Sequence, residues 1–408
     1  MTHKKIFLIC VAAVVLVTAW LYFVKGYVCF RTRDAVPVDL INEARIPGMD
    51  NIRIIADPLM PKASDLRTEI FRSKLSRPHF TGKEANVLVI SGGGANGAYA
   101  AGILCGWTEA GTRPDFDIVT GVSTGALIAP CAFAGSSYDQ VIRNIYTRVS
   151  TADIVTANVA KFLFGERPSI VDTAPLMGIL EKNMTMDLMK DVAREHALGR
   201  RLYIATTNLD ARRLVIWDMG AIASVGTPEA LELFRKVMLA SASIPAAFPP
   251  VMMTVEAGGK LYDEMHVDGS VATQMFGVLL FEGPVREDDV KTHVYLIRNG
   301  KIADMPREVK PKIWDIAGSA FSTLMTWQSY SDLYRFAVAA KQDGMDLRVA
   351  FIPYDFDPPR STEFDNRYMN ELFDLGYASA LSGDQWYNEF DDLFSQYTGK
   401  ANKGRLQQ

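Results

Sequence analysis

Residues 117–130 read DIVTGVSTGALIAP. The apolar run that opens this stretch suits a strand buried on both faces. Ser123 follows, held between Gly121 and Gly125. A G-x-S-x-G set after a strand and before a small-residue helix is a nucleophile elbow, a turn that points a serine out of the strand end. The flanking glycines are needed because so sharp a turn leaves little room for side chains. Ala126 lets the next helix pack close. A serine hydroxyl is a poor nucleophile unless a base takes its proton, so the stretch raises a second question: what activates Ser123.

One strand–helix unit upstream lies VLVISGGGANGAYAAG, residues 87–102. Its first five residues read as another buried strand. Gly92, Gly93 and Gly94 then leave backbone N–H groups uncovered beside a helix N-terminus, an arrangement that suits a developing oxyanion. The same loop fits a different pattern. Gly92, Gly94 and Gly97 make G-x-G-x-x-G, the dinucleotide fingerprint, and Asp115 and Asp117 lie near the offset of its ribose-binding acid. Alone, the loop leaves a nucleotide-binding regulatory membrane protein open. The elbow one unit later favours acyl chemistry.

The base is sought in DEMHVDGSVA, residues 263–272. On an extended segment Glu264, His266 and Asp268 share a face. Gly269 lets the chain turn and bare the Asp268 carboxylate. A carboxylate in a water-poor site has a raised pKa and accepts a serine proton. Asp-Gly is also an ordinary turn, and His266 is the competing base, two residues or ~7 Å further back. Among the other histidines, His3 is in the leader, His79 precedes the α/β region and His196 falls in a polar helical stretch. His293 opens a later strand.

Further strands are expected at 201–207, 213–219, 259–268, 293–299 and 347–354, with helices at 98–110, 124–134, 228–241, 311–340 and 362–381. Alternating strands and helices predict an α/β domain with a mostly parallel sheet. The expected organisation is a membrane anchor or signal segment at 1–30, a polar lead-in at 31–85 with a helical patch near 66–76, a domain at 86–397 and a disordered tail at 398–408. Residues 6–24, IFLICVAAVVLVTAWLYFV, hold no charge. As a helix they reach roughly 28 Å, close to a ~30 Å hydrocarbon core. The reading is a membrane-associated protein with its following domain on the extracytoplasmic side; a leader cleaved after VTA at 17–19 is the alternative.

The chain has 408 residues, 49% hydrophobic, and a net charge of -4. There is no basic tract with interleaved aromatics, so nucleic acid is not an expected partner. Cys10, Cys29, Cys105 and Cys131 show no paired or metal-ligand spacing. Cys105 and Cys131 read as buried thiols. No metal or cofactor is called for, and the sequence gives no oligomeric state.

Four ordered segments resemble the patatin-like phospholipases: GGGANG at 92–97, GVSTG at 121–125, ASASIPAAFPP at 240–250 and VDGS at 267–270. The resemblance implies a three-layer α/β/α sandwich. It implies a Ser–Asp dyad, with Ser123 as nucleophile and Asp268 as base, and an oxyanion hole in the Gly92–Gly93–Gly94 loop, the N–H groups of Gly93 and Gly94 donating. Gly97, Gly121, Gly125 and Gly269 shape the motifs. Hydrolysis of acyl esters on a lipid substrate at a membrane, through an acyl-enzyme and without a metal, follows from it. A non-catalytic lipid-binding module is the alternative, opposed by the intact Ser123 and Asp268. There are two departures. Asn96 stands where the family usually has Arg or Lys, and Ser270 where Gly or Ala usually follows the Asp-Gly. The second reads as a change of little effect.

Overall fold

A computed structural model describes residues 14–20, 33–56, 84–154, 156–157, 171–245, 247–277, 290–302, 306, 308–359 and 361–388. Nine strands form the main sheet: β1 (Arg53–Ile55), β2 (Glu84–Ile90), β3 (Ile118–Val122), β6 (Arg201–Asn208), β7 (Arg213–Asp218), β8 (Val251–Ala257), β9 (Lys260–Asp268), β10 (Lys291–Arg298) and β11 (Asp346–Phe351). Two short strands, β4 (Thr156–Ala157) and β5 (Val171–Asp172), pair apart from it. The longer helices are α1 (Gly97–Glu109), α2 (Thr124–Ala134), α3 (Asp139–Thr147), α4 (Ala174–Asn183), α5 (Met186–Ala197), α6 (Met219–Val225), α7 (Pro228–Ser241), α8 (Ile313–Asp343) and α9 (Asn366–Ser382).

Strands β6, β3, β2, β10 and β11 run parallel in that spatial order. The sheet is therefore mostly parallel at its centre, as the sequence predicts. Its strands are buried on both faces, which explains their continuous apolar runs. Leu88 and Ile90 of β2 pack with α1, α2, α7 and α9 on one side. Val87 and Val89 pack on the other, with Leu333 and Phe336 of α8. Each fully buried aliphatic side chain of this kind contributes roughly 1.5–3 kcal/mol. Cys105 and Cys131 are buried free thiols.

The antiparallel part was less visible in the sequence. Residues 53–55, within the stretch read as a lead-in, pair with β7 as an edge strand. Strand β8 is joined to β9 by Gly258 and Gly259, both at positive φ (55 and 76). A two-residue turn with both φ positive matches the right-handed twist of the strands it joins, and glycine adopts it without steric cost. The expected helical patch at 66–76 and the tail at 398–408 lie outside the described residues.

The expected membrane anchor is corrected. Most of residues 6–24 lies outside the described residues, and the described helical stretch there, 14–20, reaches only about 10 Å. Among the described residues no helix is long and apolar enough to cross a membrane. The longest, α8, carries Asp315, Asp332, Arg335, Lys341 and Asp343. The placement of the domain on the extracytoplasmic side rested on that anchor and falls with it.

One edge of β6 positions the rest of the site. Strand β3 runs parallel to β6 and ends with Val122 opposite Ala205. Strand β9 comes antiparallel from the other end and finishes with Asp268 opposite Thr206. Ala205 and Thr206 are neighbours in sequence, so the two strands meet end to end. Ser123 and Asp268 are the residues at the meeting point.

A matched pair of alanine variants tests this packing. A Cβ at Gly125 would lie 2.3 Å from the Ile90 carbonyl oxygen, whereas one at Gly178, on α4, meets nothing within 4 Å among the described residues. Gly125→Ala is expected to lose about 1–3 kcal/mol in urea unfolding, the cost of overpacking. Gly178→Ala is expected to gain about 0.5–1 kcal/mol from reduced backbone freedom in the unfolded chain. Equal stabilities would contradict the close approach of elbow and loop.

Candidate active site

Ser123 links the end of β3 to the start of α2 with φ 55 and ψ -122. Such a backbone costs a non-glycine residue of order 1–3 kcal/mol and persists only where its surroundings enforce it. Two bonds do so here. The Ser123 N–H donates to Ser241 Oγ at 3.0 Å, and Ser241 Oγ donates to the Ala205 carbonyl at 2.7 Å. Ser241, the last residue of α7, thus ties the elbow to β6. Its segment, 240–250, reads in sequence as a packing block, and the only signal of this role is a serine among small apolar residues. Gly121 and Gly125 flank the turn, and Gly97 lets the start of α1 press against Thr124 and Tyr146.

The Ser123 hydroxyl donates to Asp268 Oδ2 at 2.7 Å. The other carboxylate oxygen, Oδ1, accepts from the Ser270 amide at 2.8 Å and the Ser270 hydroxyl at 2.6 Å. The Asp268 amide donates to the Ser243 carbonyl, and its carbonyl accepts from Thr207 Oγ1. Gly269 allows this crowding, since a Cβ there would lie 2.4 Å from the Ala205 oxygen. Asp268 is fully buried and Ser123 is 4% exposed. Burial pushes the Asp268 carboxyl up to about 6, against the hydrogen bonds from Ser270 and Ser123.

Among the described residues no histidine bonds to the Ser123 hydroxyl or the Asp268 carboxylate. His266 Nε2 pairs with Glu264 Oε2 at 3.0 Å, and its Nδ1 with Thr206 Oγ1 at 2.9 Å. Trp217 Nε1 donates to the same Thr206 oxygen, which leaves the threonine proton for Nδ1 and the imidazole proton on Nε2. Burial lowers the His266 pKa. Burial also opposes the charge on Glu264, yet His266 and Arg53 hold that carboxyl down at about 2. The network joins β1 to β9 and is structural. His293, at the start of β10, pairs with Asp346. His196 lies 3.6 Å from Asp218. His3 and His79 are outside the described residues.

The glycine loop lies against the serine: a Cβ at Gly92 would sit 3.3 Å from Ser123 Cβ. The Gly92 N–H is taken by the Gln274 carbonyl at 3.1 Å. Among the described residues no backbone carbonyl outside the regular elements accepts from the Gly93 or Gly94 amide. Asn299 clamps the loop. Its amide donates to Ser91 Oγ, its Nδ2 to the Ser91 carbonyl, and its Oδ1 accepts from the Ala100 N–H. Asp332 on α8 clamps the segment after the carboxylate, accepting from Thr273 Oγ1 and the Gln274 amide. Sequence spacing gave no sign of either clamp, because both come from elements far along the chain. Asn96 is held by Tyr368, whose hydroxyl donates to Asn96 Oδ1 at 2.8 Å. Asp117 accepts from the Asn86 amide, at the opposite end of the strands from the loop. It therefore stands away from any ligand of the glycine loop. Among the described residues no group of three or more His, Cys, Asp or Glu side chains is placed to hold a metal ion.

Residues 88–280 match the sequence model of the family described as patatin-like phospholipase. Over these residues, nearly half of the chain, the protein is similar to the patatin-like phospholipases. The matched range takes in the glycine loop, the elbow, the Ser241 segment and Asp268. No curated protein matches the sequence. Of solved structures, VipD from Legionella pneumophila is 13% identical with a TM-score of 0.33, over 80% of this chain and 74% of that one. The type III effector protein ExoU is 12% identical with a TM-score of 0.29, over 76% of this chain and 56% of that one.

In this patatin-like domain the elbow should depend on Ser241. Ser241→Ala leaves the buried Ser123 amide and Ala205 carbonyl without their partner. The expected loss is about 1–3 kcal/mol of unfolding free energy, read by urea titration. A variant as stable as wild type would show that this bond does not hold the elbow.

Proposed function

We propose that this protein hydrolyses carboxylic esters of lipids through Ser123 and Asp268. The observation that carries the reading is the 2.7 Å bond from a buried serine hydroxyl to a buried carboxylate, at an elbow whose strained backbone is held in place. The likeness of residues 88–280 to the patatin-like phospholipases supports a lipid as the substrate class.

In this reading Asp268 Oδ2 takes the hydroxyl proton as Ser123 Oγ attacks the ester carbonyl. The negative charge that develops on the carbonyl oxygen is met by the Gly93 and Gly94 amides. Collapse of the tetrahedral intermediate expels the alcohol, which receives the proton from Asp268. A water then gives its proton to Asp268 and attacks the acyl-enzyme. The fatty acid leaves and Ser123 regains its hydrogen. One carboxylate serves as base and acid in turn because burial brings its pKa toward neutrality, where both protonation states are accessible. The nucleotide reading of the glycine loop loses support with Asp117 at the far end of the strands.

Steady-state hydrolysis of p-nitrophenyl acyl esters tests the proposal. Ser123→Ala is expected to show no turnover above background. Asp268→Asn keeps shape without basicity and should lose on the order of 10²-fold or more. His266→Gln removes no proton acceptor from Ser123 and should keep at least roughly a tenth of wild-type kcat. Because the base works as the carboxylate, kcat/KM should fall as pH drops through about 6. An active Asp268→Asn beside a dead His266→Gln would replace the dyad with a histidine mechanism.

A further inference from the structure

Carboxylate side chains have a broad, roughly two-fold preference about their terminal torsion. A catalytic aspartate with only one oxygen engaged is therefore free to turn the other way. Here both oxygens of Asp268 are occupied, and by different partners. Ser123 holds Oδ2. Ser270 supplies two donors to Oδ1, its amide at 2.8 Å and its hydroxyl at 2.6 Å. The amide would be present with any residue but proline at position 270. The hydroxyl comes from the serine side chain alone, and neither Gly nor Ala at position 270 would supply it.

We propose that Ser270 is a positioning residue for the base: its hydroxyl and amide fix the Asp268 carboxylate with Oδ2 turned to Ser123. The inference rests on the dyad proposed above. It replaces the reading of position 270 as a change of little effect. The side chain is itself buried, at 8% exposure, so its bond to Oδ1 is sheltered from competing water.

The geometry has an electrostatic consequence. A donor to a carboxylate favours the ionised form. The groups that meet Asp268 from neighbouring elements are uncharged: Ser123 from the elbow, Thr207 from β6, and the Ser243 carbonyl that follows α7. His266, two residues back on β9, is turned to Thr206 and Glu264. Asp332, from α8, bonds Thr273, Gln274 and Met275 instead. No ion pair offsets the burial of this carboxylate among the described residues, so the hydrogen bonds of Ser270 and Ser123 are what oppose it.

The test is the pH profile of kcat/KM on a soluble acyl ester for full-length wild type, Ser270→Ala, Ser270→Gly and Ser270→Thr. Folding is checked by thermal unfolding of each. Loss of the charge-assisted bond should move the acid limb of Ser270→Ala and Ser270→Gly upward by about one pH unit. Most of the lost activity should return above pH 8, and Ser270→Thr, which keeps a hydroxyl, should restore the wild-type limb. A rate lowered evenly at all pH values, with the limb unmoved in both Ala and Gly variants, would make Ser270 a packing residue and overturn the inference. Failure of the dyad itself looks different: wild type would then show no acid limb near pH 6, or Asp268→Asn would keep its activity.

Discussion

The site depends on two strands ending head to head along one edge of β6. Strand β3 arrives parallel and β9 antiparallel, and their last residues face adjacent positions, Ala205 and Thr206. Neither strand alone brings a serine hydroxyl to a buried carboxylate. The serine at the end of one and the carboxylate at the end of the other become partners because a single backbone sets both registers. A register slip of one residue in β9 would turn Asp268 to the opposite face of the sheet. The β8–β9 hairpin fixes β9 along its other edge, and the Arg53–Glu264–His266 network ties it to β1, so both act against such a slip.

The remaining features follow from crowding at that meeting point. The backbone of Ser123 is held in an unfavourable conformation by Ser241, whose hydroxyl is in turn anchored on Ala205. The same Ala205 oxygen excludes a side chain at Gly269. The glycine loop is stapled by Asn299 and the 273–275 segment by Asp332. The elbow is thus held by a bond from α7, and the segments beside it by bonds from α8 and from Asn299 just after β10, all about a hundred residues or more along the chain from Ser123. This burial also removes water from Asp268, which raises its proton affinity without any charged neighbour.

Much of this was legible in the residues because sharp turns demand particular amino acids. Gly121, Ser123 and Gly125 announced the elbow, Gly92 to Gly94 the loop, and Asp268 with Gly269 the strand end. The central strands were visible as apolar runs. The hairpin turn at Gly258 and Gly259 was present in the sequence too, but strand β8 alternates in burial and does not read as a continuous run. Strand β1 is three residues long, too short for periodicity to mark. Ser241, Asn299 and Asp332 gave no signal, since a polar clamp is defined by what lies across space. The apolar run at 6–24 was the least reliable guide: hydropathy marks a segment that prefers to leave water, not the place it goes.

The central claim is that the Asp268 carboxylate makes Ser123 nucleophilic, and covalent capture of that serine measures it most directly. The rate of labelling by a fluorophosphonate should be followed against pH in wild type and Asp268→Asn. The account predicts a wild-type rate that climbs through about pH 6 and then levels, with label on Ser123. It predicts a flat rate for Asp268→Asn, lower by on the order of 10²-fold. Labelling of Asp268→Asn at the wild-type rate, or of a residue other than Ser123, would contradict it.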